Sequence, residues 1–271
     1  MQRTMTNVGE QQADRRSVIR NELEWHEQEA QRRDPLDRFL YDPPAFDEVV
    51  QPAIAFLQPR DGERVLDIGC GEGKETLELA SRGLGVISVD LSHRQLSRAR
   101  ERVQEATGCA NVHFVQANAE ALPFAANQFR IIYGKAILHH LDFDYFFAEM
   151  DRVTTPESRA TFAEPMAHHP LFWLFRRLTP WLRTTDERPV FLSDLERFAH
   201  RFARREVRTF FLLAPVAYLF RLTPRTEGLF HKAHAFLRRI DEFLFRRVRF
   251  LRRFAWYSLI LLERRQDASA N

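Results

Sequence analysis

Between Val65 and Ala80 the chain reads Val-Leu-Asp-Ile-Gly-Cys-Gly-Glu-Gly-Lys-Glu-Thr-Leu-Glu-Leu-Ala, and three glycines part a buried-strand pattern from an amphipathic helix. Glycine has no Cβ, so a backbone built from it turns sharply and lets a ligand come close. A strand, a glycine turn and a helix in that order form the opening unit of a parallel α/β sheet. The glycines stand at positions 69, 71 and 73. A dinucleotide fingerprint places its third glycine one residue later, and that position is Lys74. The loop suits a nucleotide-like ligand that lacks a pyrophosphate.

Apolar runs at 64–68, 86–90, 112–116, 129–133 and 159–163 alternate with helical patterns at 73–82, 92–107 and 142–152. Short connections between them imply parallel strands joined by right-handed crossovers. Two further strands are expected over 205–213 and 255–262. Ligands of such sheets bind outside the carboxyl ends of the strands. Asp90 falls there, at the end of Val86-Ile-Ser-Val-Asp90. Its carboxylate can accept two ribose hydroxyls, or it can cap the following helix, a place Ser92 fills equally well.

The third segment is Val112-His-Phe-Val-Gln116, followed by Ala117-Asn118-Ala119-Glu120-Ala121-Leu122-Pro123-Phe124. The fourth is Phe129-Arg-Ile-Ile-Tyr133, followed by Gly134-Lys-Ala-Ile-Leu-His-His-Leu141. With the glycine loop and Asp90, this order resembles the class I S-adenosylmethionine-dependent methyltransferases. The likeness is closest to the small-molecule branch that includes enzymes of ubiquinone and menaquinone biosynthesis, and it covers about Val65 to Pro165.

The resemblance implies an α/β fold with a Rossmann-like, seven-stranded sheet, mostly parallel with an antiparallel last strand. It also implies S-adenosylmethionine as cofactor. Asp67, Gly69, Gly71 and Gly73 would surround its methionine end, Asp90 would hold the ribose, and Asn118 with Ala119 would meet the adenine edge. Leu91 and Gly134 complete the implied cofactor set. Two positions depart from the family pattern, which usually carries Asp where this chain has Asn118 and often where it has Arg130. An amide still hydrogen-bonds an amino group, and the position of Arg130 is commonly structural.

The 271 residues suit one α/β domain with additions. Residues 1–35 read as a polar N-terminal segment, partly disordered and helical over Ser17 to Arg33; residues 36–271 read as the main domain. A further helix is expected over Phe46 to Leu57. Glu24-Trp-His-Glu-Gln-Glu-Ala30 is similar to the segment that closes over the cofactor in such enzymes, with a plain surface helix as the other reading. Met1 to Arg33 is too polar for a signal peptide. The longest apolar stretches, Phe210 to Phe220 and Phe254 to Leu262, fall short of the roughly 20 residues that span a bilayer. Cys70 and Cys109 fit neither a disulfide framework nor a zinc site, and no metal is assigned. A cytoplasmic protein is expected.

Charge is unevenly spread. Residues 1–150 carry 17 Lys and Arg against 24 Asp and Glu, whereas residues 151–271 carry 23 against 13. Phenylalanine follows the positive charge, with 9 in the first part and 15 in the second. Helical inserts are expected near 166–204 and 214–254, where substrate choice normally resides. In the second, apolar residues at 236, 237, 240, 243, 244, 248 and 251 recur at helical spacing with arginines opposite. That stripe packs on the sheet, or the basic amphipathic helix near 236–254 lies on a membrane surface as a peripheral contact.

If the acceptor is a hydroxyl, a base assists the transfer. His139, His140, Glu164 and His168, with His169 beside them, stand where the fourth and fifth strands end. The histidine pair reads as base or as packing, and Glu164 with His168 as acceptor-binding or as loop structure. Asp42-Pro-Pro-Ala45 is similar to the loop that grips a flipped adenine, but its fourth residue is not aromatic and it follows no strand. The favoured acceptor is a small hydrophobic molecule such as a lipid, quinone or polyketide-like ring, with no nucleic acid partner. The alternative is an RNA-directed methyltransferase or RNA-binding protein using the arginine-rich half.

Overall fold

The computed structural model describes residues 15–28, 47–60, 62–107, 111–180, 190–199, 202–221 and 226–264. The Asp42-Pro-Pro-Ala45 segment lies outside the described residues. Helix α1 spans 15–28 and α2 spans Asp47–Leu57. The core then alternates: β1 Arg64–Ile68, α3 Lys74–Ser81, β2 Gly85–Asp90, α4 His93–Thr107, β3 Val112–Gln116, β4 Phe129–Lys135, α5 Phe143–Val153 and β5 Thr154–Pro165. Helices α6 (Pro170–Leu178) and α7 (Leu192–Ala199) lead to β6, Arg204–Phe210. Helix α8 (Glu227–Arg247) and a short 3-10 stretch (Arg249–Phe254) precede β7, Tyr257–Glu263.

The strands form one sheet in the order β3-β2-β1-β4-β5-β7-β6. Strands β1 to β5 run parallel, and β7 is antiparallel to both β5 and β6. The last strand therefore enters between its two neighbours, and β6 is the edge. Side chains alternate across the sheet because a strand has a period of two. Val65 packs with Ala53, Leu57, Ile131 and Leu259 on one face, while Leu66 and Ile68 pack with Ile132, Phe146 and Phe162 on the other. Each fully buried Leu, Ile or Phe contributes about 1.5–3 kcal/mol. Asp142 starts α5 by accepting the backbone N–H of Asp144 at 3.0 Å.

The second insert differs from its expected pattern. Helix α8 buries Phe230, His234 and Asp241, whereas Phe236, Phe243 and Val248 point to solvent. Phe230, Ala233 and Leu237 pack on the core, and Asp241 joins them on the inner face because the chain leaving β6 needs an acceptor. Phe211 adopts a left-handed φ of 65°, and the following N–H groups of Leu212, Leu213 and Ala214 donate to the Asp241 carboxylate at 2.8, 2.8 and 3.0 Å. Burial raises the Asp241 carboxyl above its usual range, opposed by those three donors. Among the described residues, no helix is long and apolar enough to cross a membrane.

Asp241→Ala leaves three N–H groups without their acceptor and should lower unfolding free energy by about 3 kcal/mol or more. Asp241→Asn keeps one acceptor oxygen and should lose less. Urea denaturation of both variants measures this; an unchanged midpoint in Asp241→Ala contradicts the assigned role.

Candidate functional site

The glycine loop is built by steric demand and by contacts to β2. Gly69 has φ 71°, and a Cβ there would meet the Ile137 side chain at 2.7 Å. Gly73 has φ 75°, and a Cβ there would meet Ala99 of α4 at 2.7 Å. The Val89 carbonyl accepts from the N–H groups of Gly69 and Cys70 at 2.8 and 3.1 Å. Gly71 N–H donates to Asp90 Oδ2 at 2.9 Å, and Ser92 N–H donates to Asp90 Oδ1 at 2.9 Å. Each Asp90 oxygen thus retains acceptor capacity beyond its backbone donor. Burial raises the Asp90 carboxyl, with the two N–H groups opposing.

A cavity of about 400 Å³ opens over this loop. Gly69, Gly71, Asp90, Leu91, Asn118 and Ala119 line one part of it, and Lys135, Ile137, His140 and Tyr257 another. Asn118 Oδ1 accepts the Glu120 N–H at 2.9 Å, which closes the turn after β3 and holds Ala119 at the wall. Gly73 lies behind the lining, packed on α4. Gly134 is not at the wall either: a Cβ there would meet the Phe162 ring at 2.8 Å, so it serves close strand packing.

Asp67 lies beneath the loop rather than at the cavity. It is fully buried, accepts the Thr76 hydroxyl at 2.6 Å, and burial pushes its carboxyl up to about 7. Thr76 in turn lies 3.0 Å from the Ser88 hydroxyl, so this chain ties β1, α3 and β2 together. Arg130, the second departure from the family pattern, pairs with Glu63 and donates to the Gln58 carbonyl at 2.9 Å.

Helix α1 lies across the cavity, contributing Arg15, Val18, Ile19, Glu22 and His26 to its wall. It is held by an Arg15–Glu120 ion pair and by Glu27, which accepts the Ser92 hydroxyl at 2.6 Å and the Arg94 N–H at 3.1 Å. Glu22 and His26 are four residues apart and face the site together. The Glu22 carboxylate lies 2.9 Å from His140 Nδ1 and 3.5 Å from His26 Nε2. These three residues each bring one donor atom within 4.8 Å of the others, which is the set that could hold a divalent ion.

His139 and His140 occupy a short 3-10 turn, Leu138–His140, after β4. The turn begins at Ala136, whose φ of 53° is a sparsely populated backbone state for a residue with a Cβ. Glu164 compensates. This fully buried carboxylate accepts from Ile137 N–H and Leu138 N–H at 2.8 Å each, and its other oxygen lies 2.8 Å from His139 Nδ1. His140 reaches the cavity while the His139 ring lies tilted behind it, ring centroids 4.1 Å apart. Burial lowers the His140 pKa, and the neighbouring His139 adds to this.

His168 does not line the cavity; its ring lies 4.9 Å from Phe191 and 6.3 Å from Phe254. His169 bonds the Leu212 carbonyl at 3.0 Å and serves the packing of α6. Sequence reasoning did not single out Glu22 and Tyr257. The i, i+4 pairing of Glu22 with His26 was the available signal, whereas nothing in the sequence brings Tyr257 to this wall.

Residues 65–157 match the model of a methyltransferase domain. The chain is 34% identical over 116 residues to the O-methyltransferase cnsE of Penicillium expansum, covering 42% of each protein. It is 38% identical over 105 residues to the ubiquinone/menaquinone biosynthesis C-methyltransferase UbiE of Vibrio cholerae, 37% of this chain and 40% of that one. The chain thus spans less than half the length of these curated relatives. The structure also resembles geranyl diphosphate C-methyltransferase from Streptomyces coelicolor, with a TM-score of 0.57 at 17% identity over 80% of this chain and 76% of that one. Residues 65–157 thus match a methyltransferase domain, and the seven-stranded sheet is the fold of the solved methyltransferases that the chain resembles.

Asp90→Ala removes a charged acceptor at the cavity and should weaken S-adenosylhomocysteine binding about 10- to 100-fold by calorimetry, equivalent to about 1.5–3 kcal/mol. Unchanged affinity in a variant that still melts cooperatively contradicts a ribose-binding role for this carboxylate.

Proposed function

Taking the class I methyltransferase domain as the premise, we propose that the protein transfers the methyl group of S-adenosylmethionine to a small hydrophobic acceptor, at oxygen or carbon. The observation that carries this reading is a single cavity joining the glycine loop and Asp90 to His140. Four carboxylates, Glu22, Glu72, Glu75 and Asp90, and four cations, Arg15, Lys74, Arg102 and Lys135, border that cavity, so its charge is balanced and a zwitterionic amino-acid group fits it. Similarity to proteins named as O- and C-methyltransferases supports oxygen or carbon as the accepting atom. The acceptor is lipid-soluble, and the protein meets it peripherally at a membrane surface.

Gly69, Gly71 and Asp90 would hold S-adenosylmethionine, which would supply a methyl group on an already activated sulfur. The protein's task is to aim the acceptor along the C–S axis and keep water out. As the acceptor forms its bond to the methyl carbon, the C–S pair returns to sulfur and the acceptor's proton must leave. His140 is the group placed to take that proton, because burial keeps its imidazole neutral. Glu22 lies 2.9 Å from Nδ1 as its charge partner. Glu164 and His139 are positioning residues that hold the turn carrying His140.

For a hydroxyl acceptor, His140→Ala should lower kcat about 10²–10⁴-fold with S-adenosylhomocysteine affinity retained. A base whose folded pKa is depressed works while neutral, so the rate should rise with pH and level off along a limb below the ordinary imidazole value of about 6.5. A limb that persists in His140→Ala contradicts the assignment. Chelation should leave the rate unchanged; loss on chelation with recovery on adding Zn²⁺ would instead make Glu22, His26 and His140 a metal site.

A further inference from the structure

Helix α6, the 3-10 stretch Ala214–Arg221 and helix α8 cover one side of the sheet, and their outer faces are apolar. Among the described residues, every exposed large hydrophobic side chain except Tyr145 lies between Leu171 and Phe250. Trp173 is 56% exposed, Leu178 63%, Leu219 66%, Phe243 59% and Phe250 60%. The three elements adjoin. Phe172 of α6 and Tyr218 of the 3-10 stretch pack against Trp256 at 6.3 and 5.7 Å, and Tyr218 meets Phe230 of α8 at 5.3 Å. Their exposed side chains therefore belong to one side of the molecule, and apolar surface of that extent marks an interaction site.

Positive charge is interleaved with it. Arg177 lies over the Trp173 ring at 5.6 Å, Arg247 over Phe243 at 5.6 Å, and Arg253 over Phe250 at 5.1 Å. Phe243 to Phe254 contains five arginines and no carboxylate, and Pro170–Leu178 contains two and none. Stacking holds each guanidinium beside an aromatic face, which presents an apolar body and a cationic tip at one level.

We propose that this face docks on a membrane bearing anionic phospholipid, with Trp173, Leu178, Leu219, Phe243 and Phe250 entering the headgroup–acyl boundary and the stacked arginines meeting phosphates. The inference rests on the reading of the acceptor as lipid-soluble. A nucleic acid would satisfy the arginines but leave Leu178 and Leu219 in water. A second copy of the chain in a two-fold contact would set arginine against arginine. The face also adjoins the site: Trp256, beneath it, is followed by Tyr257, which lines the cavity.

The test is co-sedimentation of the full chain with vesicles of phosphatidylcholine alone and of phosphatidylcholine mixed with phosphatidylglycerol. Binding to the mixed vesicles only is expected. Each of Arg177→Gln, Arg247→Gln and Arg253→Gln should lower the partition about fivefold. The double variant Trp173→Ser, Leu219→Ser should lower it at least about tenfold. S-adenosylhomocysteine affinity should stay the same in all of them. A wild-type chain that remains in the supernatant overturns the proposal, as do arginine variants that partition normally. A concentration-dependent dimer abolished by the apolar variants, or RNA binding without vesicle binding, overturns it too. Vesicle binding needs no turnover, so its failure leaves the methyl-transfer reading standing.

Discussion

The contact on which the site depends is the hydrogen bond from Gly71 N–H to the Asp90 carboxylate, 2.9 Å long. It ties the glycine loop to the end of β2, where the parallel sheet already directs ligands. Without it, the loop would keep only its two donors to the Val89 carbonyl. With it, the loop's open backbone and the acid meet at one wall of the cavity. The Asp67–Thr76–Ser88 chain beneath reinforces the same junction from inside the protein.

The opposite wall is built by different means. The fifth strand ends in Glu164, a buried carboxylate with two backbone donors and a histidine nitrogen around it. Those contacts stabilise a strained turn and deliver His140 to the cavity. Helix α1 brings Glu22 to that histidine and fastens itself through Arg15 and Glu27. Helix α1 thus both covers the cavity and brings Glu22 to His140.

Much of this was legible in the sequence, for physical reasons that can be named. Alternating apolar runs and helical patterns from Val65 onward report a parallel sheet because the central strands β1, β2 and β4 are buried on both faces. Positive-φ glycines report the loop because few other residues tolerate that backbone. What was not legible involves contacts between distant segments. Asp67 reads as a ligand-facing acid, and only the fold shows it turned under the loop to Thr76. The α8 stripe reads as packing on the sheet or as lying on a membrane surface. Leu237 packs on the core while Phe236 and Phe243 are exposed, and Asp241 takes an inner position because the backbone at 212–214 needs an acceptor there. Period alone cannot reveal that demand, since the donors lie 27 to 29 residues away.

The proposed activity requires that this cavity hold S-adenosylmethionine with its methyl group on the side of His140. The most direct test is a crystal structure of the full chain with S-adenosylhomocysteine. The account predicts the ribose hydroxyls on the Asp90 carboxylate, the homocysteine over Gly69 to Gly71, the adenine beside Asn118 and Ala119, and the sulfur facing His140. A nucleoside bound elsewhere, or seated in the cavity with its ribose away from Asp90, would contradict it.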